Sequence, residues 1–237
     1  MTEHIVRAYD EELQQLSRHI AQMGGIAEIM IVDAIQALLR VDLDLAHRII
    51  AKDKSLDLLQ RQVEDDAIRT IAKRQPMGSD LRVVVSSLRI SNDLERCGDL
   101  AKNIAKRVIA VRDQFQPPKL VHGIEHMAEL AQRQLTNVLN AYVSGDVEQA
   151  IEVWKSDDEI DAIYTSIFRE LLTYMMEDPR NITFCTHLLF CAKNVERIGD
   201  HATNIAETVV FQVTGNQIEE ERPKGADIST TAFEPNI

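Results

Sequence analysis

The chain has 237 residues, with 38 acidic and 26 basic side chains and a formal net charge of −12. This charge argues against a broad nucleic-acid interface, because phosphate backbones are bound mainly by Lys and Arg. Aromatic residues make up only 5% of the chain, and glycine and proline are few. Such a composition suits helices that pack through aliphatic side chains, and the length is sufficient to bury a real core.

The cysteines and the N-terminus bear on where the protein works. Cys97, Cys185 and Cys191 fit neither a disulfide framework nor a cysteine-based metal site, which indicates a reducing compartment. The first residues, MTEHIVRAYDEEL, lack the apolar core of a signal peptide. We expect that no apolar run approaches the roughly 18 residues that a membrane span needs. We therefore expect a soluble, cytoplasmic protein without direct membrane insertion.

Apolar residues at steps of three and four predict long amphipathic helices. The first covers residues 4–41, and Gly24-Gly25 within it predict a kink or a close contact with another helix. The second covers about 43–74, with Asp42 as its N-cap.

A third helix follows a turn and closes the first half of the chain. It begins with Ser79 or Asp80 as its cap and runs to about residue 115. Pro117-Pro118 then stops any helix, and we expect the boundary between the two halves there.

After this boundary the plan repeats. The fourth helix is predicted over about 119–143, the fifth from the N-cap Asp146 to about 177, and the sixth over about 181–213. From residue 215 the sequence becomes polar and aperiodic, which predicts a flexible tail. The predicted fold is therefore all-α, with two tandem pseudo-symmetric three-helix bundles made of six long helices. The first bundle comprises residues 1–116, the second 117–214, and the polar tail 215–237.

One segment of eighteen residues occurs twice in the chain. Residues 91–108 read SNDLERCGDLAKNIAKRV and residues 192–209 read AKNVERIGDHATNIAETV, with nine identities in the ungapped pair. Both copies contain E-R-x-G-D-x-A-x-N-I-A. In each half a D-x-x-x-D pair precedes this motif, at a constant offset of 104 residues between the halves. This duplication defines the two-bundle plan.

The acids of these motifs lie beside the apolar seam of their helices. Glu95 and Glu196 each follow a seam residue, and so do Asp57 and Asp161 on the second and fifth helices. If those helices are neighbours, about four carboxylates converge on one surface in each half. The glycine inside each motif would clear space for a ligand or a neighbouring backbone.

Such carboxylates could form a metal site or a solvated face. Oxygen ligands without His or Cys are those that hard cations such as Mg²⁺, Ca²⁺, Mn²⁺ or oxidised iron prefer. Clustered acids repel one another, and a bound cation would relieve that repulsion. The recurrence of the same acids at the same helical phase in both halves favours the metal site.

No catalytic signature accompanies the acids. The sequence contains no P-loop, G-x-S-x-G, H-E-x-x-H or Rossmann fingerprint, and no visible nucleophile–base constellation. Three interpretations stay open: a non-enzymatic, metal-carrying protein, a carboxylate-bridged dinuclear oxidase or hydrolase, and a purely structural bundle. The first is favoured.

The duplicated three-helix plan, the paired E-R-x-G-D-x-A-x-N-I-A segments and their D-x-x-x-D companions resemble the PhoU phosphate-uptake regulators of bacteria. The resemblance extends to about residue 213. It implies two similar three-helix bundles, a homodimer, and multinuclear clusters of iron or zinc on the bundle surface, with manganese or magnesium also compatible. It further implies a non-enzymatic negative regulator that links the ATPase subunit of the phosphate ABC transporter to the phosphate-sensing histidine kinase. Such a protein is cytoplasmic and joins the inner membrane only through these partners.

The same resemblance implies one metal site in each half. Carried over to this sequence, the first site comprises Asp53, Asp57, Glu95 and Asp99, with Asn103 at its edge, and the second comprises Asp157, Asp161, Glu196 and Asp200, with Asn204 at its edge.

Overall fold

The computed structural model describes residues 2–112 and 118–220, without the side chains of residues 2–7 and 118–120. These described residues form seven α-helices and no β-strand. The helices are α1 Thr2–Arg40, α2 Leu43–Arg74, α3 Ser79–Ala110, α4 Pro118–Ser144, α5 Val147–Lys155, α6 Asp157–Glu177 and α7 Ile182–Thr214. A short 3-10 turn, Pro179–Asn181, precedes α7. The predicted all-α fold of two similar bundles is confirmed.

The predicted apolar face of α1 is buried. Its buried side chains include Leu16, Ile20, Met23, Ala27, Met30, Ala34 and Leu38. The helix runs without interruption through Gly24 and Gly25. A Cβ atom on Gly24 would lie only 2.7 Å from Cδ1 of Leu139 on α4. The prediction of a close helix contact at this position is therefore confirmed.

One stretch of α1 has the length and composition of a membrane span. The segment Ala8–Arg40 contains an 18-residue window that is sufficiently apolar, so the expectation that no run approaches a span was wrong. Half of that window is buried inside the protein, because α1 packs against α2, α3 and α4. Core helices pass the same test, and the stretch is weak evidence for a span.

Two predicted N-caps are confirmed. The side chain of Asp42 accepts a hydrogen bond from the Leu45 N–H at 2.9 Å, and that of Asp146 accepts one from the Gln149 N–H at 3.0 Å. These aspartates occupy equivalent positions of the repeat, at the offset of 104 residues. The middle helix therefore starts in the same way in both halves.

The start of α3 differs from the prediction. Its N-cap is Gly78, with a φ of 59°, and no side chain caps the first turn. Glycine adopts this left-handed conformation without the steric cost that a Cβ would bring. Asp80 instead accepts a hydrogen bond from the hydroxyl of Tyr9 at 2.9 Å. The prediction of Ser79 or Asp80 as the cap was wrong.

The predicted fifth helix is divided into α5 and α6 at Ser156. The side-chain amide of Gln134 on α4 donates hydrogen bonds to the carbonyl and to the hydroxyl of Ser156, both at 2.9 Å. The Ser156 N–H bonds to the carbonyl of Val153, which tightens the last turn of α5. At the offset of 104 residues, Met30 is the counterpart of Gln134. The methionine side chain has no hydrogen to donate. Helix α2 continues without a break through Lys52, the counterpart of Ser156.

The two halves pack mainly through α3 and α7, which run antiparallel. Arg82, near the start of α3, donates from Nε to the carbonyl of Gln212 near the end of α7 at 3.1 Å. Arg107, near the end of α3, lies 4.4 Å from the ring centroid of Phe190, early in α7. Equivalent helices of the two halves thus meet in opposite directions.

The predicted domain boundary and most of the tail lie outside the described residues. Pro117 is one of the residues that the structure does not describe. Helix α4 begins at Pro118, and proline is tolerated at the start of a helix because its missing N–H would have no partner there. Gly215 ends α7 with a φ of 81°, and residues 221–237 are not described. The division at 116 and 117 and the flexible tail stay predictions.

The motif glycines are packing positions. A Cβ atom on Gly98 would collide with Cδ2 of Leu56 on α2, and one on Gly199 would lie 2.9 Å from Cδ1 of Ile160 on α6. Leu56 and Ile160 are themselves equivalent positions of the repeat. A side chain from the neighbouring helix therefore fills the space that each glycine leaves. The acids of the two helices come close together as a result.

Replacing Gly98 with alanine is expected to destabilise the protein. Overpacking against the fully buried Leu56 lowers the free energy of unfolding by about 1–3 kcal/mol, more than the roughly 1 kcal/mol that alanine gains from helix propensity. Gly25→Ala is the matched control, because its Cβ would meet nothing within 4 Å. Urea denaturation should place Gly98→Ala below the wild type and Gly25→Ala at or above it. Equal stability of the two variants would contradict the packing role of Gly98.

Two acidic clusters as the candidate functional site

The predicted acids gather into one cluster on each half. The first cluster is Asp53 and Asp57 on α2 with Glu95 and Asp99 on α3, and the second cluster is Asp157 and Asp161 on α6 with Glu196 and Asp200 on α7. The charges of the three aspartates in the first cluster all act on the Glu95 carboxyl. Two aspartates of the second cluster act likewise on Glu196. The expected convergence of carboxylates from neighbouring helices is therefore present.

A lysine lies inside the first cluster. The ammonium of Lys102, on α3, donates hydrogen bonds to Asp53 Oδ2 and to Asp99 Oδ1, both at 2.5 Å. The Asp53 side chain is only 8% exposed and that of Lys102 20%. Burial opposes the charge of Lys102, but the two hydrogen-bonded carboxylates outweigh it and raise the pKa of the ammonium. Lys102 thus bridges α2 and α3 as a charged group.

The negative charges of the aspartates in the first cluster act on the Glu95 carboxyl. Burial of the carboxyl is the main cause that raises the pKa of Glu95, and the charges of Asp99, Asp57 and Asp53 add to it. Arg96 opposes this shift, with its Nε 3.5 Å from Glu95 Oε2. The guanidinium of Arg96 is also 3.4 Å from Asp99, but its side chain is 53% exposed, so solvent screens these contacts.

The second cluster is neutralised differently. Lys193 on α7 donates to Glu196 Oε1 at 2.6 Å, and its ammonium also lies 5.3 Å from the ring centroid of Tyr164. Glu196 Oε2 is buried and has no hydrogen-bond partner among the described residues. Burial is the main cause that raises the pKa of Glu196; the Lys193 hydrogen bond opposes it, and Asp200 and Asp161 add to it.

Thr203 holds Asp157 at the start of α6. Asp157 is buried, and its Oδ1 accepts a hydrogen bond from the Thr203 hydroxyl at 3.3 Å. The carbonyl of Gly199 lies 3.1 Å from the same hydroxyl, so the two acceptors share its single hydrogen. When the two copies of the motif are superposed, Thr203 stands where the first half has Lys102. One half therefore places a cation beside its first aspartate, and the other places a neutral hydroxyl there.

The two asparagines are less clearly part of the clusters. Asn204 Nδ2 lies 3.5 Å from Asp93 Oδ1, across the interface between α7 and α3. Asp93 is itself buried and lies 2.9 Å from Nδ1 of His201. Asn103 is partly buried on α3. The contact of Asn204 links the two bundles, and a role for either asparagine at a metal site stays a prediction.

The carboxylates do not form a ready-made metal site. Among the described residues, no three His, Cys, Asp or Glu side chains are placed to hold a metal ion. The donor set nevertheless consists of carboxylate oxygens, as a hard cation requires. The buried Glu196 Oε2 is an acceptor that such a cation would satisfy. In the first cluster, the Lys102 ammonium stands between the acids Asp53 and Asp99.

The lysines and the Asp93–His201 pair were not predicted from the sequence. Lys102 follows Asp99 by three residues, and Lys193 precedes Glu196 by three. This spacing brings side chains together on a helix surface and could have revealed both contacts. The pairing of Lys102 with Asp53 and that of His201 with Asp93 join different helices, and spacing within one helix does not reveal them.

The chain is similar to a known protein family and to named bacterial proteins. The family model described as PhoU domain matches residues 20–108 and 124–209. The chain is 60% identical over 227 residues to a protein of Rhizobium meliloti strain 1021 named phosphate-specific transport system accessory protein PhoU homolog, covering 96% of both chains. It is 53% identical over 224 residues to the protein of the same name from Caulobacter vibrioides, covering 94% of this chain and 97% of that one.

Solved structures show the same fold. The crystal structure of PhoU from Pseudomonas aeruginosa superposes with a TM-score of 0.85 at 35% identity, over 88% of this chain and 100% of that one. The phosphate transport system regulatory protein PhoU from Streptococcus pneumoniae gives a TM-score of 0.82 at 29% identity, over 90% and 100%. Both matched segments contain an E-R-x-G-D motif with its acidic cluster. This chain belongs to the PhoU family.

Proposed function

We propose that this protein is a negative regulator of phosphate uptake that acts as an adaptor. It contacts the ATPase subunit of a phosphate ABC transporter and a phosphate-sensing histidine kinase, and it represses the phosphate regulon when phosphate is plentiful. The observation that carries this proposal is the match over almost the whole chain to relatives named as accessory proteins of phosphate-specific transport. The adaptor is a homodimer in the cytoplasm, at the inner membrane through its partners.

The described side chains favour an adaptor over an enzyme. Burial raises the pKa of the Cys97 thiol, and it raises that of Cys191 to about 12. Both thiols are therefore protonated at neutral pH, whereas a cysteine nucleophile acts as the thiolate. His201 is engaged with Asp93 between the two bundles. These groups support the packing of the helices and are poorly suited to attack a substrate.

Metal binding is the second part of the proposal. Asp157, Asp161, Glu196 and Asp200 of the second cluster would hold the ion, which is iron or zinc by family resemblance, with manganese or magnesium compatible with the oxygen donors. A bound cation would supply positive charge between α6 and α7. The buried and unpartnered Glu196 Oε2 supports this assignment. Neutralising the acids would stabilise a surface on which partners can bind.

Deleting the gene should derepress phosphate-starvation genes in phosphate-rich medium. The adaptor normally keeps the kinase and the transporter in the repressed state, so its loss leaves both active. A reporter fused to a phosphate-responsive promoter measures the effect, and a plasmid copy of the wild-type gene is the control. Unchanged expression in the deletion strain would refute the regulatory role.

A pull-down tests the adaptor step separately. The ATPase subunit and the kinase should be recovered with the tagged protein, and the experiment compares their recovery at high and low phosphate.

Glu196→Gln should stabilise the metal-free protein at neutral pH. The fold raises the pKa of this carboxyl above 4.5, so the native state holds the proton more tightly than the unfolded chain. The stability of the wild type therefore falls as pH rises from 4.5 through the raised pKa and stays lower above it. Glutamine cannot ionise, so the variant escapes this loss. Thermal unfolding in the presence of chelator at pH 4.5 and pH 7 measures the difference.

The matched control for this experiment is Glu170→Gln. Glu170 lies on α6 and is exposed, so its substitution should shift the melting temperature little at either pH. Glu196→Gln should also retain less metal than the wild type, because a buried ligand oxygen is lost. A melting-temperature difference that is the same at both pH values would contradict the electrostatic explanation.

A further inference from the structure

The end of α3 and the start of α7 carry no acidic side chains. Residues 100–112 and 179–195 contain neither Asp nor Glu, although the whole chain has a net charge of −12. The two stretches meet in space, because Arg107 on α3 contacts Phe190 on α7. Their basic residues are Lys102, Lys106, Arg107, Arg112, Arg180 and Lys193. The two helix ends that meet here therefore bring only positive charge to the surface of an acidic protein.

Three of these cations are paired with carboxylates of neighbouring segments. Lys102 and Lys193 bond acids of the two clusters, and Arg180 bonds Asp178. Arg107 differs from them, because within the described part of the chain its partners are two aromatic rings and no carboxylate. Its positive charge is therefore not neutralised by an ion pair with any described residue.

The two rings hold the guanidinium of Arg107 in place. Its central carbon lies 4.4 Å from the ring centroid of Phe190, within the range of a cation–π interaction. Its Nη1 lies 3.4 Å from Nδ1 of His187. Burial is the main cause that lowers the pKa of His187, and the charge of Arg107 adds to it. The imidazole is therefore neutral at neutral pH, and its Nδ1 can accept the hydrogen bond from Arg107.

These contacts leave most of the guanidinium available. Arg107 has five N–H donors, and only the contact with His187 uses one of them among the described residues. A planar guanidinium with adjacent free donors binds a carboxylate through two parallel hydrogen bonds. Because the side chain is already held by Phe190 and His187, such binding would cost less conformational entropy than binding to a mobile arginine.

An exposed apolar ring accompanies the cation. Phe190 is 49% exposed, so its stacking on Arg107 leaves about half of the residue in contact with water. Aromatic residues and arginine are enriched among the residues that contribute most to binding at protein interfaces. The net charge of −12 opposes a nucleic acid or an anionic membrane as the partner. A small inorganic anion would leave the ring of Phe190 exposed. A protein segment with an acid beside an apolar side chain satisfies both groups.

We propose that Arg107 and Phe190 form the docking site for an acidic segment of a partner protein. A carboxylate of that segment accepts hydrogen bonds from Arg107, and a neighbouring apolar side chain packs on Phe190. The exposed Lys106 adds positive charge beside the site and speeds the encounter. This inference rests on the proposed adaptor function, and it adds the surface and the chemistry by which the adaptor binds one of its partners.

The pull-down with the tagged full-length protein tests the site when it is repeated with variants. Arg107→Glu and Phe190→Ser should each lower the recovery of the same partner, either the ATPase subunit or the kinase, by about tenfold or more. Arg61→Glu and Val143→Ser are the matched controls, because Arg61 is exposed on α2 and Val143 is 73% exposed on α4. Both controls should recover the two partners as the wild type does.

Two further measurements separate a lost contact from a lost fold. The melting temperatures of Arg107→Glu and Phe190→Ser should lie close to that of the wild type, because neither side chain is fully buried. The wild type itself should lose the same partner when NaCl is raised from about 0.05 M to about 0.5 M, since salt screens the attraction between exposed charges. Recovery that responds neither to salt nor to the two substitutions would overturn the docking site and leave the adaptor function standing.

Photo-crosslinking identifies the segment that docks. With benzoylphenylalanine in place of Phe190, we expect mass spectrometry to find a cross-linked peptide of the partner in which Asp and Glu outnumber Lys and Arg. A basic peptide, or a peptide from a second copy of this chain, would overturn the proposal. If the wild type recovers neither the ATPase subunit nor the kinase, the adaptor function itself is refuted, and this inference with it.

Discussion

The acidic surface of this protein depends on one constraint, which is that carboxylates of like charge are held close together on adjacent helices. Gly98 and Gly199 let a side chain from the neighbouring helix approach closely, and the acids of both helices then share one surface. Burial and mutual repulsion raise the pKa values of Glu95 and Glu196 as a consequence. A nearby positive charge stabilises the ionised form of such carboxyl groups. The packing that builds each bundle therefore also creates an electrostatic cost, which a nearby cation lowers.

The duplicated halves lower this cost differently. Lys102 bridges α2 and α3 in the first half, whereas the aligned Thr203 in the second is a hydroxyl donor to Asp157. The middle helices differ as well, because Gln134 binds the backbone at Ser156 and divides that helix beside the second cluster. Relatives over nearly the whole length are phosphate-transport accessory proteins. The proposed adaptor thus combines a shared scaffold with two unlike surfaces.

Much of the fold could be predicted from the sequence because its causes are local. Apolar spacing marked the helices, Asp42 and Asp146 were recognisable as caps, and the repeated motif indicated the two bundles. The features that could not be predicted depend on contacts between distant residues. The division at Ser156 needs an amide from α4, and the identity of the group facing Asp53 needs the register of α2 against α3. Such contacts depend on how helices pack, which periodicity alone does not determine.

Anomalous X-ray scattering from crystals of the Mn²⁺-loaded protein tests this picture most directly. The measurement locates each ion relative to named carboxylates without any substitution. We expect a strong anomalous peak beside Glu196 and Asp200, and the Lys102 ammonium still between Asp53 and Asp99. The absence of any anomalous peak beside Glu196 and Asp200 would contradict the proposed binding of a metal at the second cluster.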